Sequence, residues 1–248
     1  MADTFFDPGR QRAAKVGDLF ARIAPRYDLI NDIQSFGLHR YWKRRVIQLA
    51  RPQPGQSALD LCCGTGDLAL ALARRGVNVT GVDFSERMLQ VAAGRAAHLP
   101  RSTPPASHLV PQYIRADAQC LPFPDNSFAI VTVGYGLRNL ADWEAGLREM
   151  RRVTQAGGRL VALDFGKPDH PLWRRLYFLY LKLCVPCVGR MFCGSAAAYA
   201  YILESLRHYP AQHGVAAYMR ALGLINVRIV SLLGGVMAIN YGEKRRDA

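Results

Sequence analysis

The stretch LDLCCGTGDLALALARRGVNVTGVDFS, residues 59–85, decides the fold. A hydrophobic run ends at Gly64-Thr65-Gly66, an apolar helical pattern follows, and a second hydrophobic run ends at Asp83. Glycine in such a turn lets the backbone bend tightly and lets a ligand approach closely. Asp83 follows Gly64 by 19 residues. At this spacing a carboxylate at the end of a strand can accept hydrogen bonds from ribose hydroxyls. The stretch therefore predicts a site for a nucleotide-like cofactor.

Strand and helix patterns alternate through this stretch and beyond it, from about residue 57 to residue 165. Near the C-terminus two hydrophobic runs flank Gly234-Gly235, a pattern typical of a β-hairpin. Together they predict an α/β fold, a doubly wound, mostly parallel sheet that ends in an antiparallel hairpin. We expect one domain over residues 1–248, with an N-terminal helical cap at 10–51 and a helical cap insertion at 168–222.

The charge is strongly basic, with a formal net value of +13 over 248 residues. Basic residues mix with aromatic and aliphatic ones in HRYWKRRVIQL and LWRRLYFLYLKL, a mixture that suits a helix at a lipid interface. A lid helix with a solvated basic face fits equally well. We expect no nucleic-acid partner, because no motif for one is present. No leader pattern and no uninterrupted apolar span of about 20 residues is visible, so we expect a cytoplasmic protein.

Six cysteines are expected to be reduced in that compartment. Cys184 and Cys187 form a CxxC, with Cys193 six residues later. No second CxxC or histidine pair completes a zinc set, so small buried side chains are the favoured interpretation and no metal is expected.

The identity of the cofactor is open from the glycine turn alone. Gly64-Thr65-Gly66-Asp67-Leu68-Ala69 also fits a nicotinamide fingerprint with alanine in the third place. Two features argue against a nicotinamide cofactor. One is Asp60, four residues before Gly64 at the end of the first strand, and the other is the block DAQCLPFPDNSFAIVTVGYGLRNL, which follows the third strand.

Several blocks of the sequence resemble the motifs of known protein families. LDLCCGTGD, GVDFSERML, ADAQCLPFPDNSFAIVTV and GGRLVALDF are similar to the successive motifs of class I S-adenosylmethionine-dependent methyltransferases. APRYDLIND, FGLHRYWKR, YGLRNL, DFGKP, YILESLRHYP and GGVMAINYGEK resemble the ubiquinone/menaquinone biosynthesis C-methyltransferase family. The resemblance runs from about residue 15 to residue 244.

The resemblance implies a Rossmann-like class I methyltransferase that uses S-adenosylmethionine (SAM) to methylate a ring carbon of a prenylated quinol. CCGTGD favours the naphthoquinol side, demethylmenaquinol to menaquinol. The alternative is the 2-polyprenyl-6-methoxy-1,4-benzoquinol step of ubiquinone synthesis. A nicotinamide-dependent oxidoreductase and a non-catalytic subunit of a quinone-synthesis complex are the remaining alternatives.

The resemblance also implies the cofactor residues. Thr65, with Gly64 and Gly66, would contact the methionine part, Asp83 would hold the ribose, and Gly134 would lie near the methyl group. Asp117 and Ala118 would lie along the adenine, and Asp60 is included with the cofactor residues. The family often has serine where this chain has Gly134, and INYGEK departs from its histidine-containing ending.

Arg138 is the residue expected nearest the reaction, as a stabiliser of a phenolate or an orienter of water, because a guanidinium is a poor base. An ordinary ion pair at a helix start is its alternative role. Asn139 would orient the phenolate or the water. Tyr27, beside Asp28, would form a hydrogen bond with a quinol oxygen or hold the lid. His39 is a base by chemical type, with a structural role favoured.

The quinol tail implies a further partner. A basic, aromatic helix from Pro171 to Cys193 would dock on anionic lipid and admit the isoprenoid chain. The protein would then lie on the inner face of the cell membrane as a peripheral protein. A homodimer is left open.

Overall fold

The computed structural model describes residues 31–32, 35–98, 109–193 and 197–246, and for residues 184–193 and 197–202 it describes the backbone alone. These residues form one seven-stranded sheet with the order β3-β2-β1-β4-β5-β7-β6. The first five strands pair in parallel, and β7 runs antiparallel to both of its neighbours. The strands are β1 (Ser57–Leu61), β2 (Asn78–Asp83), β3 (Gln112–Arg115), β4 (Phe128–Gly134), β5 (Thr154–Phe165), β6 (Leu224–Leu232) and β7 (Met237–Lys244).

Helices connect β1 to β2, β2 to β3 and β4 to β5, as the alternating pattern predicts, whereas a loop without a helix joins β3 to β4. In the described ranges they are α1 (Leu38–Ala50), α2 (Asp67–Ala73), α3 (Glu86–Ala97), α4 (Trp143–Val153), α5 (Pro171–Cys193), α6 (Ala197–His208) and α7 (Ala211–Ala221). Local capping explains two of the starts: Ser85 Oγ accepts the Met88 N–H before α3, and Asp142 Oδ1 accepts the Ala145 N–H before α4.

Two hydrophobic cores, one on each face, hold the sheet. Successive strand residues point to opposite faces, so Ile130 and Val131 of β4 belong to different cores. Ile130 shares its core with Trp42 of α1, whereas Val131 shares its core with Leu147 of α4 and Met219 of α7. Burial on both faces explains why the strands read as nearly continuous apolar runs.

The C-terminal hairpin is confirmed. β6 and β7 pair in an antiparallel arrangement and are joined by a 3-10 turn over Leu233–Gly235. Gly234 and Gly235 have φ values of 65° and 96°, a region that side chains disfavour.

The predicted cap regions are partly described. α1 covers the end of the 10–51 region, and α5, α6 and α7 fill most of the 168–222 region. α7 packs on β6 and β7, and its Val215 and Met219 are buried in the main core. Across the described part of the chain, no helix has the length and hydrophobicity needed to cross a membrane.

Candidate active site

A cleft opens where the carboxyl ends of β1, β2 and β4 meet. β1 lies between β2 and β4, so the connections leave it in opposite directions, and ligands of open α/β sheets bind at such a switch point. The cleft has a volume of about 810 Å³ when the open solvent at its mouth is included. Six of the residues predicted from the sequence line it together: Gly64, Asp83, Asp117, Ala118, Gly134 and Asn139.

The glycine turn after β1 has the tight backbone that its sequence predicts. Gly64 and Gly66 have φ values of 54° and 84°, and Cys62 also has a positive φ of 49°. A Cβ atom on Gly66 would lie 2.6 Å from the Tyr113 hydroxyl oxygen, so no larger residue fits there. Thr65 is 3 % exposed and, like Gly66, supports the turn without lining the cleft.

Asp83 ends β2 next to the glycine turn and lines the cleft. Its carboxylate accepts the Gly64 N–H at 2.8 Å and the Ser85 N–H at 2.9 Å. Burial raises the pKa of Asp83, and these backbone N–H groups oppose that rise. A carboxylate has about four lone-pair sites, so Asp83 keeps the capacity to accept ligand hydroxyls.

Asp117 and Ala118 follow β3 at the far end of the cleft. The Asp117 carboxylate accepts the backbone N–H of Gln119 at 2.9 Å, and Gln119 Oε1 accepts the Asp142 N–H at 2.8 Å. This chain of bonds holds the loop after β3 against the start of α4.

Asp60 lies beneath the turn and not on the wall of the cleft. It is 1 % exposed, and its carboxylate accepts the Thr132 hydroxyl at 2.7 Å and the Ala69 N–H at 3.1 Å. Burial raises the pKa of Asp60 to about 7, although these two hydrogen bonds and the charge of Lys43 oppose the rise. Its observed contacts are structural, and a direct cofactor contact stays a prediction.

The raised pKa predicts a pH-dependent contribution to stability. Because the folded-state pKa lies above the unfolded value of 3.8, this contribution is present below about pH 4 and is lost as pH rises through about 7. Asp60→Asn mimics the protonated acid, so we expect it to gain up to roughly 4 kcal/mol over the wild type at pH 8, at about 1.4 kcal/mol per pKa unit. The gain should vanish near pH 4. Urea unfolding of both proteins at pH 4, 6 and 8 measures this gain in the free energy of unfolding. If stability depends on pH equally in the two proteins, the pKa of Asp60 is not raised.

Arg138 forms a buried ion pair directly behind the cleft. It lies in the 3-10 turn Leu137–Asn139 after β4, and its Nη1 donates to Asp164 Oδ1 at 2.8 Å and to Tyr135 O at 2.7 Å. Its backbone N–H donates to Asp164 Oδ2 at 3.0 Å, and both paired side chains are 5 % exposed. The guanidinium carbon lies 4.5 Å from the centroid of the Phe165 ring. Arg138 itself does not line the cleft.

Asn139 connects this pair to the cleft. Its Nδ2 donates to Tyr135 O at 3.0 Å, the carbonyl that also accepts from Arg138, and its side chain lines the cleft. The backbone here is tightly fitted, because Tyr135 has a φ of 62° and a Cβ on Gly136 would lie 2.3 Å from the Cys62 Cβ. The turn after β4 is therefore held against the turn after β1.

His39 has a structural role. It is 4 % exposed, and its Nε2 lies 2.8 Å from Asp32 Oδ1, whose carboxylate also accepts from Arg40. These bonds lower the pKa of Asp32 to about 2. Tyr27 and Asp28 lie outside the described residues, as do the side chains of the CxxC pair.

Two acidic residues that support the site, Asp164 and Asp67, were not identified from the sequence. Asp164 is the next-to-last residue of β5 and pairs with Arg138; an acidic residue near the carboxyl end of a parallel strand, like Asp83 in β2, is the signal that would have indicated it. Asp67 begins α2 and accepts from Lys43 and Arg95, each at 2.5 Å. These bonds tie α1 and α3 to the start of α2, and only chain folding brings them together. Within the described ranges no three His, Cys, Asp or Glu side chains are grouped for metal binding.

Comparison with known proteins agrees with this geometry. Residues 9–244 match the model of the ubiE/COQ5 methyltransferase family. A demethylmenaquinone methyltransferase of Desulfitobacterium hafniense is 41 % identical over 242 residues, covering 96 % of this chain and 93 % of that protein. One of Staphylococcus aureus is 37 % identical over 236 residues, covering 94 % of each chain.

Solved structures share the fold. A SAM-dependent methyltransferase of Thermotoga maritima aligns with a TM-score of 0.62 and 19 % identity, over 92 % of this chain and 99 % of that one. One of Aquifex aeolicus aligns with a TM-score of 0.57 and 16 % identity, over 81 % and 88 %. The class I methyltransferase fold predicted from the motifs is thus confirmed. A match over nearly the whole sequence shows that this chain is a methyltransferase and a member of the ubiE/COQ5 family.

Proposed function

We propose that this chain methylates a ring carbon of demethylmenaquinol, with SAM as the methyl donor. The observation that carries the proposal is the likeness, over almost the full length, to proteins named demethylmenaquinone methyltransferase. The resemblance puts Arg138 near the reaction; in the structure its ion pair with Asp164 lies behind the cleft, next to Asn139, which lines it.

The residues of the cleft fit SAM. Gly64 and Gly134 present no side chain to it, and a Cβ on Gly64 would meet no atom within 4 Å, which leaves open space above the turn. Asp83 would accept the ribose hydroxyls, Asp117 and Ala118 would flank the adenine, and Gly64, Thr65 and Gly66 would border the methionine part. SAM supplies an activated methyl group on a sulfonium when bound.

The protein's own contribution is to orient and to stabilise charge. The substrate becomes a carbon nucleophile when a phenolic proton passes to an acceptor such as a bound water, and the negative charge then rests partly on oxygen. Arg138 is always protonated, and its bonds to Asp164 and Tyr135 hold the guanidinium in one position. It would stabilise the phenolate or orient a water, with Asn139 orienting either partner.

The decisive experiment measures transfer of label from methyl-labelled SAM to two reduced substrates, a demethylmenaquinol and a 2-polyprenyl-6-methoxy-1,4-benzoquinol. We expect label in the naphthoquinol alone. Label only in the benzoquinol would move the chain to the ubiquinone pathway. No label in either, with SAM still bound in a titration and NAD not bound, would refute the substrate and leave the cofactor assignment intact.

We also propose that the cytoplasmic enzyme docks on the inner face of the cell membrane through α5. Leu172, Leu176, Leu179 and Leu183 form one stripe at helical spacing, and each is 49–60 % exposed. Opposite the stripe, Tyr177 is buried in the core.

The charge of this helix complements anionic lipid. Arg174, Arg175 and Lys182 are exposed beside the stripe, and the sequence from 171 to 193 contains no acidic residue. An apolar stripe with basic neighbours binds anionic interfaces by burial of area together with electrostatic attraction.

Leu179→Glu is expected to reduce binding to anionic vesicles by about tenfold or more at low salt, since it places a negative charge in the apolar stripe. Val110→Glu is the matched control, because Val110 is also exposed and lies before the edge strand β3. Vesicle sedimentation with anionic and neutral lipid measures both. Equal loss in the two variants, or no preference of the wild type for anionic lipid, would refute the docking surface. If Leu179→Glu instead dissociates a homodimer with lipid binding unchanged, the stripe is a subunit interface.

A further inference from the structure

Tyr177 of α5 carries a buried hydroxyl that the reaction described above does not use. The residue is 5 % exposed, and among the described residues its hydroxyl oxygen has no hydrogen-bond partner. Native proteins seldom leave a buried polar group unpaired, because the group has lost its water without a replacement. Phenylalanine would fill the same space without that cost. We therefore look for a hydrogen-bond partner of the hydroxyl beyond the described residues of the protein.

The surroundings indicate where that partner lies. Tyr177 belongs to the same buried cluster as Leu137, the residue directly before Arg138. Phe165, whose ring lies under the Arg138 guanidinium, packs against this cluster. The charges of Arg138 and Asp164 also act on the pKa of Tyr177, which burial raises. Tyr177 of α5 therefore lies in the core that packs around the ion pair, near enough for both charges to act on its hydroxyl.

Tyr177 is protonated at neutral pH, as an ordinary tyrosine is, and burial raises its pKa further, so its hydroxyl is a donor. A phenolate oxygen is an acceptor, and a hydrogen bond to a charged acceptor is stronger than one between neutral groups. A donor at this position would stabilise the ionised quinol more than the neutral one. It would then favour the transition state over bound substrate.

We propose that the Tyr177 hydroxyl donates a hydrogen bond to an oxygen of the quinol, beside Arg138, and so assists its ionisation. This inference rests on the proposed function, since it needs a phenolic substrate. It makes Tyr177 a substrate-contacting residue contributed by α5, the same helix whose outer face carries the proposed lipid-binding stripe.

Tyr177→Phe tests the proposal, with Tyr180→Phe as the matched control. Tyr180 lies three residues later on the same helix and is 39 % exposed, so the chemical change is the same on the outer face. A short-chain demethylmenaquinol avoids any effect of vesicles. The measurements are kcat and KM for the quinol, the SAM dissociation constant, the pH profile of kcat, and the melting temperature.

For Tyr177→Phe we expect kcat/KM for the quinol to fall about 10- to 100-fold, with SAM affinity unchanged. The acid limb of the pH profile should move to higher pH, because the quinol ionises less readily without the donor. The melting temperature should stay equal or rise, since an unpaired hydroxyl has been removed. Tyr180→Phe should match the wild type in kcat/KM, in SAM affinity and in the pH profile, and its melting temperature shows the effect of removing a tyrosine hydroxyl from the outer face of α5.

Two outcomes would overturn the inference. If the wild type methylates the quinol and Tyr177→Phe has the same kcat/KM and pH profile, the hydroxyl does not contact the substrate. If Tyr177→Phe melts at a lower temperature with unchanged kinetics per folded molecule, the hydroxyl has a structural partner such as a buried water. An inactive wild type would instead refute the proposed substrate, so the two failures are distinguishable.

Discussion

Arg138→Ala is expected to abolish most methyl transfer and to lower the free energy of unfolding by about 3–5 kcal/mol. The loss of stability follows from Asp164, which would keep a buried charge without its guanidinium partner. The loss of activity follows from the missing positive charge near the phenolate, for which we expect a fall in kcat of about 10²- to 10³-fold. Urea unfolding and initial rates per folded molecule measure the two effects separately.

The controls separate charge from geometry. Arg138→Lys keeps the charge but cannot reproduce both bonds to Asp164 and Tyr135, so we expect an intermediate fall in kcat. The double change Arg138→Met and Asp164→Leu removes both charges, and it should recover much of the stability without the activity. If the stable double variant keeps wild-type kcat, the pair is structural and has no part in the reaction.

Asp83→Ala is expected to weaken SAM binding by about 10²-fold or more. Hydrogen bonds to a charged group contribute about 1.5–3 kcal/mol each, and a carboxylate at this position would accept two ribose hydroxyls. The change also frees the Gly64 N–H, which donates to Asp83 at 2.8 Å, so the glycine turn would lose part of its support. Isothermal titration with SAM gives the dissociation constant.

Asp83→Asn and Asp117→Ala serve as comparisons. Asparagine keeps the shape of Asp83 and can still accept one hydrogen bond. The affinity of Asp83→Asn for SAM should therefore lie between those of the wild type and Asp83→Ala. Asp117 bonds its own loop through Gln119, and we expect its removal to cost about tenfold or less in affinity. An unchanged dissociation constant for Asp83→Ala would show that the ribose is held elsewhere.

The sequence by itself determined the features that depend on neighbouring residues. Gly64 and Gly66 indicate a backbone with positive φ, because few other residues adopt such angles without strain. For the same reason Gly234-Gly235 indicates the turn of a hairpin. The alternation of strand and helix patterns indicated a parallel sheet, and the succession of motifs indicated the family. The predicted cleft residues Asp83, Asp117 and Gly134 follow from their places at or just beyond strand ends.

Only the tertiary structure decided which side chains meet across the fold. The pairing of Arg138 with Asp164 requires that β4 and β5 lie side by side, and the burial of Asp60 requires Thr132 from β4 beside β1. Lys43 reaches Asp67 because α1 and α2 share one face of the sheet. No local pattern encodes these contacts, since they are set by strand order and by packing on each face, which depend on the whole chain.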